Sequence, residues 1–132
     1  PFERKRKNEN ENENDNENNQ NEKKKTEEER IKESTKIIEK YPDRIPIVVE
    51  KCPNSTVQDI DKNKYLVPND MTLSQFLYII RKRINLETSE ALFFFINNTL
   101  CNNTMLLSEV YNKLKDKDGF LYIEYSTENT FG

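Results

Sequence analysis

At 132 residues, with 21 basic and 24 acidic side chains and no histidine, the chain has room for one core and carries a formal charge of -3, which excludes a protein that holds nucleic acid by bulk charge. Its two cysteines, Cys52 and Cys101, are too few for a disulfide scaffold, and without histidine neither a Cys-His catalytic pair nor a histidine-containing zinc site can be assembled. No apolar run approaches the roughly 18 residues of a membrane span, so membrane association is expected to be peripheral or covalent.

Pro1 is expected not to be a native start, since it stands where a methionine would. Arg4 to Lys7 form a short basic run, a candidate for an acidic surface such as a lipid headgroup layer, with a modest and salt-sensitive attraction. Residues 3 to 30 contain nothing aliphatic or aromatic, and within them Asn8 to Glu22 comprises eight Asn, six acidic residues and one Gln. Such a segment cannot bury enough apolar surface to offset its ordering entropy, so it is expected to be a disordered, solvated insert.

Folding is expected to resume near Glu28. Ile31, Ile37, Ile38 and Tyr41 fall near helical spacing, and Tyr41-Pro42-Asp43 stops that helix because the residue before proline avoids the α region. Ile45 to Lys51 reads as a strand and Lys64 to Val67 as a second one closed by Pro68. Thr72-Leu73-Ser74-Gln75 fits a capping box opening a helix to about Ile84. Leu73, Phe76, Leu77, Ile80 and Ile84 make its core stripe, while Tyr78 and Ile79 add apolar surface beyond it. Ala91 to Ile96 reads as a buried strand, Leu107 to Lys115 as a short amphipathic helix, Asp116 to Gly119 as a turn, and Phe120 to Tyr125 as the last strand. Strand, strand, helix, strand, helix, strand is the order of an α+β β-grasp with a helix added in front. Cys101 reads as a packed thiol, and free thiols favour a reducing compartment.

The residues themselves go further. Tyr41-Pro42-Asp43-Arg44-Ile45-Pro46, Lys64-Tyr65-Leu66-Val67-Pro68, Ile80-Arg81-Lys82-Arg83-Ile84 and Asp116-Lys117-Asp118-Gly119-Phe120-Leu121-Tyr122 together make the chain resemble the autophagy-related protein eight family of ubiquitin-like modifiers. That family includes microtubule-associated light chain three and the GABA-receptor-associated protein. The resemblance runs from about Glu33 to Gly132, and Pro1-Phe2-Glu3 is similar to the family's N-terminal helical segment. Leu92 to Asn98 and the Glu128-Asn129-Thr130-Phe131-Gly132 tail complete it. The organisation it implies is a helical segment at 1–7, an Asn/Glu-rich insertion at 8–27, a ubiquitin-like domain with its preceding helix at 28–126 and a flexible conjugation tail at 127–132. Many members carry residues after the glycine that a cysteine protease removes; this sequence shows none, so no priming cleavage is expected provided that the gene encodes nothing beyond Gly132.

The resemblance implies a protein that is no enzyme. Its Gly132 carboxylate would be joined to the amine of phosphatidylethanolamine by activating and conjugating enzymes and released by a deconjugating cysteine protease. The domain would then sit on an autophagosomal or other organelle membrane and recruit receptors and adaptors. A glycine carboxylate has no Cβ beside it and so fits a narrow enzymatic channel. The residues agree as far as they go: no base-nucleophile pair, metal-ligand cluster or phosphate-cradling Gly-rich loop is present, and no cofactor is expected.

Family members bind aromatic-x-x-aliphatic peptides by adding them as a strand to the sheet edge. By position, Glu33, Ile37, Pro46, Val48, Lys64, Leu66 and Phe120 match the aromatic pocket, and Tyr65, Val67, Pro68, Met71, Phe76 and Ile79 the aliphatic one. Val48, Leu66 and Phe120 read equally well as plain core, which their exposure decides. Arg44, Lys64 and Arg83 match positions that meet acidic residues flanking such peptides. Arg81-Lys82-Arg83 taken alone reads as a solvated helix end favoured by the macrodipole, and a nucleic-acid role is set aside because nothing aromatic interleaves it. The Asn-x-Ser/Thr patterns at Asn54, Asn97 and Asn102 read as chance in so Asn-rich a chain. Two rivals remain: a modifier attached to protein lysines, which the Glu-Asn-Thr-Phe-Gly ending disfavours, and an unconjugated scaffold binding microtubules or receptors.

Overall fold

The computed structural model describes residues 25–128, so the readings made for residues 1–24 and for the tail from 129, Gly132 included, lie outside the described residues. Helix α1 spans Glu27–Lys40 and opens on a reciprocal cap: the Glu29 amide donates to Thr26 Oγ1 at 3.1 Å, and the Thr26 amide donates to Glu29 Oε1 at 2.9 Å. Three glutamates in its first turn complement the helix dipole. The sequence reading counted Lys25 to Glu27 with the insertion; the cap makes them part of the folded domain.

Strands β1 (Arg44–Lys51), β2 (Lys64–Pro68), β3 (Phe93–Ile96), β4 (Thr99–Leu100) and β5 (Leu121–Ser126) form one sheet in the order β2-β1-β5-β3-β4. The central β1–β5 pair is parallel and the other neighbours are antiparallel. Helices α2 (Leu73–Arg83) and α3 (Leu107–Leu114) complete the α+β, ubiquitin-like β-grasp that the element order implied. Strand β4 is an addition to that order. It exists because Asn97 and Asn98 both take positive φ, 54° and 65°, the geometry of a tight hairpin turn that asparagine tolerates. The third strand also starts later than expected, at Phe93, leaving Ala91 exposed and Leu92 buried as a loop residue.

Alternation along β1 divides the sheet into two faces. Ile45, Ile47 and Val49 point into the main core with Phe76 and Ile80 of α2, and Val48 points to the other face, where Phe120, Tyr122 and Ile37 of α1 meet it. The capping box expected at Thr72 is present, with Thr72 Oγ1 accepting from Gln75 N at 3.1 Å and Gln75 Oε1 from Thr72 N at 2.9 Å. At its far end Asn85, φ 55°, closes the helix: Leu86 N donates to Arg81 O and Asn85 N to Lys82 O, both at 3.3 Å, the paired arrangement of a left-handed C-cap.

Helix α1 is fastened to the turn before β5 by a buried carboxylate. Asp118, with no exposed surface, accepts from Arg30 Nε at 2.9 Å, from the Tyr122 hydroxyl at 2.6 Å and from the Phe120 amide at 2.9 Å. Beside it the Ser34 hydroxyl donates to Asp118 O at 2.6 Å.

Candidate functional site

Strand β2 is an edge of the sheet: β1 pairs with it on one side, and no strand among the described residues pairs with it on the other. Which of its main-chain groups face outward follows from the ladder phase. Val49 N donates to Asn63 O at 2.7 Å and Asn69 N to Asp43 O at 3.0 Å. Bonded pairs in an antiparallel ladder alternate with unbonded ones, so with Ile45 opposite Val67 and Ile47 opposite Tyr65, the odd-numbered residues of β1 bond to β2. Lys64 and Leu66, opposite Val48 and Pro46, therefore turn their N–H and C=O groups away from the sheet. Pro46 fits this phase, since it has no N–H to give and stands where none is needed. The guanidinium of Arg44 reaches Leu66 O at 3.5 Å, as it must if that carbonyl looks outward.

On the α1 side of this edge the structure brings together the residues matched to an aromatic pocket. Glu33 Oε2 is 3.0 Å from Lys64 Nζ, and Glu33 Oε1 is 2.9 Å from Lys25 Nζ. Lys64 Nζ also lies 5.5 Å from the centre of the Phe120 ring. Burial pushes the Glu33 carboxyl up, but the two ammoniums outweigh it and hold the group below its ordinary value. Ile37 and Leu66 are half-buried, whereas Pro46, Val48 and Phe120 are buried. Leu66 alone of the three doubtful residues thus has open surface; Val48 and Phe120 form floor beneath it.

On the α2 side the grouping is looser. Tyr65 packs edge-on against Phe76 with ring centres 5.4 Å apart, and Val67 is buried. Met71 is half-buried and Ile79 is exposed. Phe76 has no exposed surface and belongs to the core, so it supports a pocket wall from behind. Pro68 is exposed and opposite Arg44, which by alternation sets it on the Leu66 side of the strand, apart from Tyr65 and Val67.

The basic residues ring the edge. Arg83 Nε is 3.0 Å from Asp61 Oδ1 in an exposed pair, and Lys62 Nζ sits 5.1 Å from the Tyr65 ring centre. Arg81 departs from the solvated helix end expected of it: its Nη2 donates to the carbonyls of Glu87 and Thr88, at 2.9 and 3.3 Å, and of Glu90, tying down the loop after α2. Sequence reasoning missed Lys62, Lys25 and the outward phase of the edge. Only Lys62, two residues before an expected strand, left a readable signal.

Cys52 and Cys101, buried and half-buried, are not joined in a disulfide, and burial pushes the Cys101 thiol up, away from the thiolate a nucleophile needs. Among the described residues no group of three or more His, Cys, Asp or Glu side chains could hold a metal ion, and no helix is long and apolar enough to cross a membrane.

A sequence profile described as "Autophagy protein Atg8 ubiquitin like" matches residues 29–132. Autophagy-related protein 8a of Arabidopsis thaliana is 57% identical over 105 residues, covering 80% of this chain and 86% of that protein. Autophagy-related protein 8B of Oryza sativa subsp. japonica is 54% identical over 107 residues, covering 81% and 90%. Among solved structures, the crystal structure of Trypanosoma brucei ATG8 superposes with a TM-score of 0.76 at 44% identity, covering 82% of this chain and 93% of that one. Plasmodium falciparum Atg8, solved in complex with a Plasmodium falciparum Atg3 peptide, gives a TM-score of 0.72 at 36% identity, covering 79% and 92%. With a fold, a sequence profile and relatives that agree over most of its length, this chain belongs to the Atg8 family of ubiquitin-like autophagy proteins.

Proposed function

We propose that this chain is a ubiquitin-like modifier whose Gly132 carboxylate is joined to the amine of phosphatidylethanolamine, and that on the membrane it recruits partners through the outer edge of β2. The chain catalyses nothing itself. An activating enzyme spends ATP on the Gly132 carboxylate and a conjugating enzyme passes the acyl group to the lipid amine, so that an amide forms and the enzyme thiol leaves. A deconjugating cysteine protease reverses the step by hydrolysis. A solved relative is held with an Atg3 peptide, which supports a conjugating enzyme among the partners. Autophagy receptors and adaptors carrying aromatic-x-x-aliphatic segments are the others; no nucleic acid is needed. The protein then divides between cytoplasm and membrane surface according to its lipidation.

The observation that carries the recruitment half is the phase of the β2 edge. Lys64 and Leu66 offer main-chain donors and acceptors outward, which an extended peptide can pair with, while alternate side chains enter the Leu66 side and the Tyr65–Val67 side. Arg44, Lys64 and Arg83 would meet acidic residues beside the motif, chiefly steering encounter. The mass of the mature C-terminus tests the conjugation half. A lipid adduct on Gly132 supports it, a branched peptide on a protein lysine would replace it with a protein modifier, and a free glycine throughout would leave an unconjugated scaffold.

A further inference from the structure

We propose that the Asn/Glu-rich run at residues 8–17 is an intramolecular competitor for the basic rim of the β2 edge, lowering the affinity of that edge for peptides with acidic flanks. The inference rests on the reading of β2 as a peptide-binding edge.

Three observations point to it. First, the rim takes carboxylates of this same chain: Lys64 is held by Glu33 at 3.0 Å and Arg83 by Asp61 at 3.0 Å, with Asp61 well exposed. Arg44 and Lys62 lie on the same strip, on Leu66 O and over the Tyr65 ring. Second, the acidic residues of the run, Glu9, Glu11, Glu13, Asp15 and Glu17, recur at every second position. Period two places every carboxylate on one side of an extended chain and every Asn on the other, so a strand laid along β2 would turn its negative charge to a single side of the edge, the one where Lys64 and Arg44 stand. Third, the run enters the fold beside the site. Lys25 Nζ touches the same Glu33 carboxylate that holds Lys64, and the stretch from Glu17 to Lys25 reaches at most about 28 Å when extended, beyond the roughly 17 Å of a five-residue strand.

The run has no apolar anchor for either pocket, so its hold is electrostatic and weak in trans. Tethering supplies what affinity lacks: joining two groups through a short stretch of chain gives an effective concentration on the order of millimolar, enough for a weak contact to reduce apparent peptide affinity about three- to tenfold. The effect fades with salt, because an exposed charge row is screened within about 8 Å at physiological ionic strength.

Three forms of the chain decide it: the full sequence, one lacking residues 8–22, and one carrying E9Q, E11Q, E13Q, D15N and E17Q. A fluorescent aromatic-x-x-aliphatic peptide with acidic flanks is titrated into each at low and high salt, and amide spectra of the three are compared without peptide. We expect the deleted and the neutralised chains to bind the peptide about three- to tenfold more tightly than the full chain at low salt, and equally at high salt. We also expect amide shifts at Lys62 to Val67 between the full and neutralised chains. Equal affinities at low salt would overturn the competition, whether or not amides shift, and so would tightening in the deleted chain without the neutralised one. If no form binds the peptide, the edge reading itself has failed; shifts at Lys62 to Val67 would then still show the run on the rim, and their absence would overturn the contact too.

Discussion

Arg30 and Asp118 lie 88 positions apart in the sequence, yet Arg30 Nε stands 2.9 Å from an Asp118 carboxylate that has no contact with solvent. This pair holds α1 against the sheet and so keeps Ile37 and Glu33 over the α1 side of the β2 edge. Asp118 also satisfies the Tyr122 hydroxyl and the Phe120 amide. Asp118→Ala would leave a part-buried guanidinium and two further donors without their acceptor, a loss of about 3 to 5 kcal/mol for breaking a largely buried pair from one side. Asp118→Asn keeps a side-chain acceptor and should cost roughly half as much. Urea unfolding measures both, and equal, small effects from the two substitutions would show that α1 is held by packing alone.

Gly119, in the same turn, has φ +94°, and a Cβ built there would stand 2.2 Å from Ser34 Oγ and 2.9 Å from Ser34 Cβ. Gly119→Ala is therefore expected to cost about 2 to 4 kcal/mol through positive-φ strain and displacement of α1. Adding Ser34→Gly removes the clash but leaves the strain, so it should recover part of the loss. Thermal unfolding of the single and double variants checks this, and full recovery would mean that the backbone conformation costs nothing.

Leu66 and Phe76 were both matched to peptide pockets, but they should answer differently to truncation. Leu66 is half-buried on the edge strand while Phe76 has no exposed surface. Leu66→Ala is expected to weaken an aromatic-x-x-aliphatic peptide of about micromolar affinity by about 1 to 3 kcal/mol, with little change in fold stability. Phe76→Ala should instead destabilise the domain by about 3 to 5 kcal/mol. Titration and denaturation of each variant separate the two, and peptide shifts that leave residues 64 to 67 untouched would move the site elsewhere.

Peptide binding at this edge should be flat from about pH 6 to 8, since no histidine is present and no unperturbed side chain but histidine changes charge there. The change should come in acid. The Glu33 carboxyl is held below its ordinary value by Lys25 and Lys64, so its contribution to fixing α1 is complete above the unfolded-chain value of about 4.3 and is lost as pH falls through the lower folded value. The group is exposed enough that the stability lost is small. Fluorescence titration across pH 3 to 8 checks the profile, and a midpoint near pH 6.5 would point to a titrating group these residues do not contain.

How much of this was legible beforehand follows from how local each signal is. The Thr72–Gln75 cap, the α2 stripe and the turn at Asp116 to Gly119 are short-range patterns, and each stands where the sequence puts it. Thr26–Glu29 is the same kind of cap and equally readable, but the polar run around it hid the start of α1. The two-residue strand β4 is too short for any period; only the Asn97–Asn98 pair announces its turn. The Arg30–Asp118 clamp could not be read at all, because nothing in either residue's neighbourhood names a partner so distant in the chain. The outward phase of β2 likewise depends on which pairs of the ladder are bonded, a property of register that composition does not carry.

Conjugation should require Gly132, and the peptide edge should affect only its rate. The last described strand ends at Ser126, and residues 127 to 131 have no apolar alternation that would make the core need them, so Gly132→Ala should leave stability and peptide affinity unchanged. It should abolish lipidation, because a methyl on the terminal Cα crowds the channel in which the carboxylate is activated and the thioester from which the lipid amine takes the acyl group. The converse variant, Leu66→Ala, should still be activated and lipidated, although more slowly if the conjugating enzyme docks at β2. Reconstitution with the cognate activating and conjugating enzymes, ATP and phosphatidylethanolamine liposomes measures both. A lipid-linked product from the alanine variant at the native rate would sink the assignment of Gly132, as would the absence of product from the native chain with enzymes that lipidate a relative under the same conditions.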